Sequence, residues 1–134
     1  MGDGEKVLGV DFGERRIGLA IAEGRLAEPL AIIEVRDPPS LKLRGAIQKI
    51  AKICGQEKIQ EIVLGLPSGS NRVKKFGQEL VKATGLKVVF WDETLTSEEA
   101  LAKMVEAGRP QKKRRRLDDV SAALILQEYL DSKL

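Results

Sequence analysis

Acidic side chains stand beside apolar segments at three separate places in the chain, where they could bind divalent cations. These residues are Asp11, the pair Asp92 and Glu93, and the pair Asp118 and Asp119. Carboxylate oxygens are hard ligands that suit Mg²⁺ or Mn²⁺. If the three places meet in the folded chain, they predict a metal site for the hydrolysis of phosphodiester bonds.

Each acidic position also has a simpler explanation. Asp11 could accept backbone hydrogen bonds in a turn, and the other acids could favour the positive N-terminus of a following helix. Strand alternation places Glu93 on the side of Trp91 and Asp92 on the opposite side. Helical periodicity does not choose between Asp118 and Asp119, since either could face the sheet.

The composition narrows the possible chemistry. The chain has 134 residues and no histidine, which excludes Ser-His-Asp catalysis and histidine-ligated zinc. Cys54 is the single cysteine, so neither an intrachain disulfide nor a cysteine zinc site can form. No apolar run approaches the roughly 18 residues that span a bilayer, so we expect a cytoplasmic protein without a membrane partner. Hydrolysis would therefore rest mainly on carboxylates and oxygen-ligated metals.

Positive charge is concentrated near the C-terminus. Residues 109–116 hold six of the 23 basic residues and no acid, which leaves 17 basic against 20 acidic residues elsewhere. Such a segment is either a solvated loop or a contact for a polyanion. The candidate nucleic-acid-binding residues are Arg16, Arg72, Lys74, Lys75, Lys112, Lys113, Arg114, Arg115 and Arg116.

Apolar runs and turn residues predict a single α/β domain over residues 1–134. The predicted strands span 6–12, 16–22, 29–35, 61–66 and 87–91. The predicted helices run from an N-cap at Ser40 to Gly55, from Ser70 and Asn71 to Gly85, from Thr96 to Ala107, and from Leu117 to Leu130. Three meandering strands followed by alternating units imply a mixed sheet with helices on both faces.

Four motifs in register resemble the YqgF (RuvX) family of RNase H-like nucleases. They are the segments 10–20, 65–67, 92–100 and 117–129, with Asp11, Gly65, Glu93 and Asp118 among their residues. The segment 68–71 that follows the second motif is shorter than the loop which the family usually carries. The resemblance implies a five-stranded sheet of order 3-2-1-4-5 in which strand 2 is antiparallel.

The resemblance also implies the roles of the acidic residues. By position, Asp11, Glu93 and Asp118 would be the catalytic residues and the ligands of two Mg²⁺ or Mn²⁺ ions. Asp92 matches the first acid of its motif and would support the site, and Asp119 falls where the family pattern varies. Asp118 and Asp119 therefore remain alternatives for the third ligand.

Members of this family have been described both as nucleases that mature the 5′ end of pre-16S rRNA and as Holliday junction resolvases. We therefore expect a metal-dependent endonuclease that acts on structured RNA or on branched DNA, as a monomer or homodimer. A non-catalytic RNA-binding assembly factor is a different class of function. An actin-like ATPase also has a strand, Asp, Gly and strand hairpin, but it needs two such domains around its nucleotide.

Overall fold

A computed structural model describes residues 5–13, 15–35, 39–66, 71–92 and 117–133. The strands in these ranges are β1 (Lys6–Phe12), β2 (Arg16–Glu23), β3 (Leu26–Glu34), β4 (Glu61–Leu66) and β5 (Lys87–Asp92). The helices are α1 (Pro39–Glu57), α2 (Asn71–Thr84) and α3 (Leu117–Ser132). The helix predicted over 96–107 and the basic segment 109–116 lie outside the described residues.

The strands form one sheet with the order β3-β2-β1-β4-β5. β2 is antiparallel to both of its neighbours, whereas β1, β4 and β5 are parallel. The fold class, the strand order and the direction of β2 are therefore confirmed. Because β1, β4 and β5 are parallel, their carboxyl ends lie at one edge of the sheet, which we call the carboxyl edge.

The third strand begins earlier than the prediction of residue 29. A two-residue turn of Gly24 and Arg25 connects β2 to β3, and Gly24 adopts a φ of 85° that favours glycine. Pro29 therefore lies inside β3, beside a register irregularity between Leu19 and Ala20 of β2. In the described part of the chain β3 lies at the edge of the sheet, and edge strands tolerate proline because one of their sides needs no ladder partner.

The predicted limits of the first helix are also wrong. α1 begins at Pro39, so Ser40 lies inside its first turn, and the helix continues through Gly55 to Glu57. Lys58 ends it with a left-handed φ of 58°. The backbone N–H of Ile59 then donates to the carbonyl oxygen of Cys54 at 2.9 Å, which is the longer hydrogen bond of a Schellman motif. A non-glycine residue in this conformation gives no sequence signal.

Each face of the sheet has its own apolar core. The face that packs on α1 and α2 carries large side chains such as Leu8, Val10 and Leu64, with Phe76 of α2. Cys54 belongs to this core, and burial raises the pKa of its thiol to about 11. The thiol therefore stays protonated at neutral pH and is not a candidate nucleophile.

The opposite face of the sheet carries small residues and packs on α3. Ala20 and Ala22 of β2 are fully buried there, beside Leu126 of α3. Small side chains on the sheet, and the fully buried Ala122 on the helix, allow the helix axis to come close. Within the described ranges, no helix combines the length and apolar character needed to cross a bilayer.

Candidate active site

Asp11 lies near the end of β1 at the carboxyl edge, on the face of the sheet that packs on α3. Its neighbours in the sheet are Gly18 of β2 and Gly65 of β4, and Gly65 in turn pairs with Trp91 of β5. Residues paired across strands share one face, so the partly buried Asp11 side chain stands between two positions without side chains. Neither neighbour in the sheet therefore places a side chain beside the carboxylate.

α3 runs antiparallel to β1 across this face. At its C-terminal end, the Tyr129 hydroxyl donates to Oε1 of Glu61 at 2.8 Å, and Glu61 pairs with Val7. Further toward its N-terminus, α3 contacts the sheet at Gly9. One helical turn rises about 5.4 Å and two strand residues about 6.6 Å, so the first turn of α3 reaches the level of Asp11.

The contact at Gly9 fixes the separation of α3 from the sheet. A Cβ atom at Gly9 would lie 2.8 Å from Cβ of Leu126 and 2.9 Å from the carbonyl oxygen of Ala122. The carbonyl is helix backbone, which can yield only if the whole helix moves. Gly9 therefore controls how closely the helix that begins with Leu117, Asp118 and Asp119 approaches Asp11.

We predict that Gly9→Ala lowers the free energy of unfolding by about 1–3 kcal/mol, the usual cost of overpacking. Alanine is itself more favourable than glycine inside a strand, so a loss of stability must come from the contact with α3. Gly55→Ala is the control, since no atom of the described residues lies within 4 Å of a Cβ there, and it should stabilise α1 by about 0.5–1 kcal/mol. Urea unfolding followed by circular dichroism measures both changes. A Gly9→Ala protein as stable as the wild type would contradict the tight contact.

The structure describes the other acidic candidates only in part. Asp92 is the last residue of β5, and Asp118 and Asp119 lie in the first turn of α3, but their side chains are outside the described part of the structure. Glu93 is not among the described residues. Among the side chains that are described, no three carboxylate or thiol groups form a metal site. The proposed set of Asp11, Glu93 and Asp118 thus stays a prediction.

The described basic candidates lie toward the carboxyl edge. Arg16 begins β2, and its carbonyl oxygen accepts a hydrogen bond from the backbone N–H of Gly13 at 3.0 Å. Arg72, Lys74 and Lys75 are exposed near the start of α2, which follows the end of β4. The remaining basic candidates, Lys112 to Arg116, lie outside the described residues.

The described part of the site fits divalent cations. Asp11 supplies hard oxygen donors, and its two sheet neighbours are glycines, which add no side chain beside them. β1 and β5 are two strand spacings apart, about 10 Å, so acids at the ends of these two strands would be close enough to share a site.

Sequence patterns did not single out Arg44 of α1 or Lys82 of α2. Both line a groove between these helices, together with Lys75. Lys75 and Lys82 are seven residues apart and therefore share a helix face, which is a signal that the sequence contains. Arg44 carries no comparable signal, because its place depends on how α1 packs beside α2.

Comparison with known proteins identifies relatives over nearly the full chain. A family model described as RuvX, Holliday junction resolvase, matches residues 5–132. A protein of Agathobacter rectalis is 36% identical, with 94% of each chain covered, and one of Protochlamydia amoebophila is 38% identical, with 96% of this chain and 94% of that one covered. Both carry the provisional name pre-16S rRNA nuclease.

A solved structure supports the fold independently. The RuvC protein of T. thermophilus in complex with a Holliday junction substrate matches with a TM-score of 0.66. The match covers 96% of this chain and 95% of that chain, at 15% sequence identity. The family resemblance and the RNase H-like fold predicted from the motifs are both confirmed, and the chain belongs to the RuvX family.

Proposed function

We propose that this protein is a divalent-metal-dependent endonuclease that processes the 5′ end of pre-16S rRNA. That the protein is a nuclease follows from its family, whose model and curated relatives are named for nucleic-acid cleavage. The choice of ribosomal RNA rests on the names of relatives that are 36–38% identical over nearly the whole chain.

The observation that carries the proposal is the position of Asp11. It lies at the carboxyl edge between Gly18 and Gly65, level with Trp91, and under the helix that begins with Leu117. Two further acids belong to the same elements. Glu93 comes directly after β5 in the sequence, and Asp118 is in the first turn of α3. Strand alternation gives Glu93 the face of Trp91 and Asp11.

In this proposal Asp11, Glu93 and Asp118 would hold two Mg²⁺ or Mn²⁺ ions. The ions would supply the activation of the attacking water and the stabilisation of the leaving 3′ oxygen. The acids would position the ions at the scissile phosphate, and the basic side chains at the carboxyl edge, Arg16 and Arg72, would hold the flanking phosphates. Residues 109–116 would add a salt-sensitive contact to the same strand. We also propose a cytoplasmic protein that acts as a monomer or homodimer.

A substrate comparison tests this function. The full chain is incubated with Mn²⁺ or Mg²⁺ and either a 5′-extended 16S rRNA precursor or a four-way DNA junction, with EDTA in parallel. We expect cleavage of the precursor at a defined position, little cleavage of the junction, and none with EDTA. Cleavage of the junction alone would favour a resolvase. Tight RNA binding without any cleavage would identify a binding factor.

A further inference from the structure

A groove of about 700 Å³ lies between α1 and α2, on the side of the sheet opposite α3. Its rim carries three exposed basic residues, Arg44, Lys75 and Lys82. Its floor is formed by Ile47 and Phe76, which are 9% and 1% exposed. The buried Phe76 ring cannot stack on a base, so any ligand must be recognised by the groups on the rim.

The charge of the rim suits an anionic chain. Among the described residues that line the groove, Glu79 is the only acid, and its ion pair with Lys82 is 3.8 Å long with both side chains more than half exposed. Such an exposed pair is worth little, so Lys82 can exchange Glu79 for a phosphate at small cost. The exposed amides of Gln48 and Gln78 can donate hydrogen bonds to phosphate or sugar oxygens.

The groove extends from the carboxyl edge. α2 follows the end of β4 at that edge, and α1 follows β3, whose last residue Glu34 pairs with Arg16 at the same edge. Lys75 lies one turn into α2, and Lys82 lies two turns further along. These two residues span about 10 Å along the helix, which corresponds to about three nucleotides of a stacked strand.

We infer that the groove between α1 and α2 binds the phosphate backbone of a single-stranded RNA segment that flanks the cleavage site. This inference rests on the proposed function, since it places the flank beside a cleavage site at Asp11. Lys75 and Lys82 contact phosphates about three nucleotides apart, and Arg44 contacts the same backbone from α1, while the bases face solvent. Recognition is therefore electrostatic and independent of base sequence.

The test compares two RNA hairpins, one with and one without a single-stranded 5′ extension of about ten nucleotides, a length in the range of single-strand binding sites. Fluorescence anisotropy measures the dissociation constant as a function of salt. The wild-type protein should bind the extended hairpin more tightly. The double variant Arg44→Gln with Lys82→Gln should lose this advantage, with roughly tenfold weaker binding at 0.1 M salt and a salt slope smaller by about 1.4, at about 0.7 for each phosphate.

Two further variants separate the groove from general charge effects. Glu79→Gln removes the acid from the rim and should strengthen binding of the extended hairpin, which a misfolded protein would not do. Lys49→Gln with Lys52→Gln removes two exposed charges of α1 that do not line the groove, and it should leave the advantage of the extended hairpin in place. The inference would be overturned if both double variants lost the preference for the extended hairpin equally, or if neither lost it.

Other occupants give different results. A short glutamate peptide and an RNA of the same length can each be tested as competitors of the extended hairpin. If the peptide displaces the hairpin at the lower concentration, the groove would be assigned to an acidic protein segment. A dimer in sedimentation that dissociates with Arg44→Gln and Lys82→Gln would assign it to a second copy. If the wild-type protein cleaves RNA but does not bind the extended hairpin more tightly, only this inference is refuted. If the wild-type protein does not cleave RNA, the proposed function is refuted.

Discussion

Asp11→Asn should abolish cleavage while leaving nucleic-acid binding intact or tighter. Asparagine keeps the shape and one oxygen of the side chain but removes the charge that would hold the cations. Metal ions contribute several kcal/mol of transition-state stabilisation, so we expect a loss of roughly a thousandfold or more in the cleavage rate. Binding should not weaken, because a negative charge near the phosphates is removed. Single-turnover cleavage with Mn²⁺ and anisotropy without a catalytic metal measure the two effects.

This substitution also tests the simpler explanation, in which Asp11 is a turn residue. An asparagine oxygen accepts backbone hydrogen bonds as an aspartate oxygen does, so a turn role would survive with stability and activity preserved. Asp131→Asn makes the same chemical change on an exposed residue at the far end of α3 and should leave cleavage unchanged. Full activity of Asp11→Asn would remove Asp11 from the mechanism.

Hydrophobic periodicity predicted the limits of strands and helices well where burial determines those limits. β1 is buried along most of its length, and its limits match the predicted run of 6–12. The boundaries failed where single residues decided them, as with Gly24 in the turn before β3 and Lys58 at the end of α1. The strand order did not follow from periodicity, because several orders bury the same faces. It came from the family resemblance.

The candidate site was predictable in its parts but not in its assembly. Acids at the ends of apolar runs are visible in the sequence, and alternation assigns Glu93 and Asp92 to opposite faces. The closeness of α3 to the sheet depends on the contact between Gly9 and Ala122, which joins segments more than a hundred residues apart. The groove between α1 and α2 has the same origin, since two helices separated by β4 must lie side by side to form it.

Substitutions at the two pairs of neighbouring acids should have unequal effects. Within β5, Val89 and Trp91 pack in the core beneath α3, whereas Val88 packs in the core beneath α1 and α2. We therefore expect continued alternation to place Glu93 on the face of Asp11, and Asp92 on the other face. We expect Glu93→Gln to slow cleavage by roughly a hundredfold or more, and Asp92→Asn by less than about tenfold.

The pair in α3 can be ranked by burial along the helix. Asp118 shares a stripe with Ala122, Ile125 and Tyr129, which are all buried at 0–6% exposure. Asp119 shares a stripe with Leu126, which is fully buried, and with Ala123 and Leu130, which are only partly buried.

From 3.6 residues per turn, position 118 lies about 30° from the centre of the buried face and position 119 about 70°. Asp118→Asn should therefore slow cleavage by roughly a hundredfold, and Asp119→Asn by less than about tenfold.

Single-turnover cleavage across a Mn²⁺ titration distinguishes metal ligands from neighbouring acids. A lost ligand should raise the metal concentration needed for half-maximal cleavage as well as lower the maximal rate, because the cation loses a negatively charged donor. Asp92→Asn and Asp119→Asn serve as matched controls, since each neutralises an acid one residue away. A larger effect of Asp119→Asn than of Asp118→Asn would assign the third ligand to Asp119 and require α3 to present its other stripe to the site.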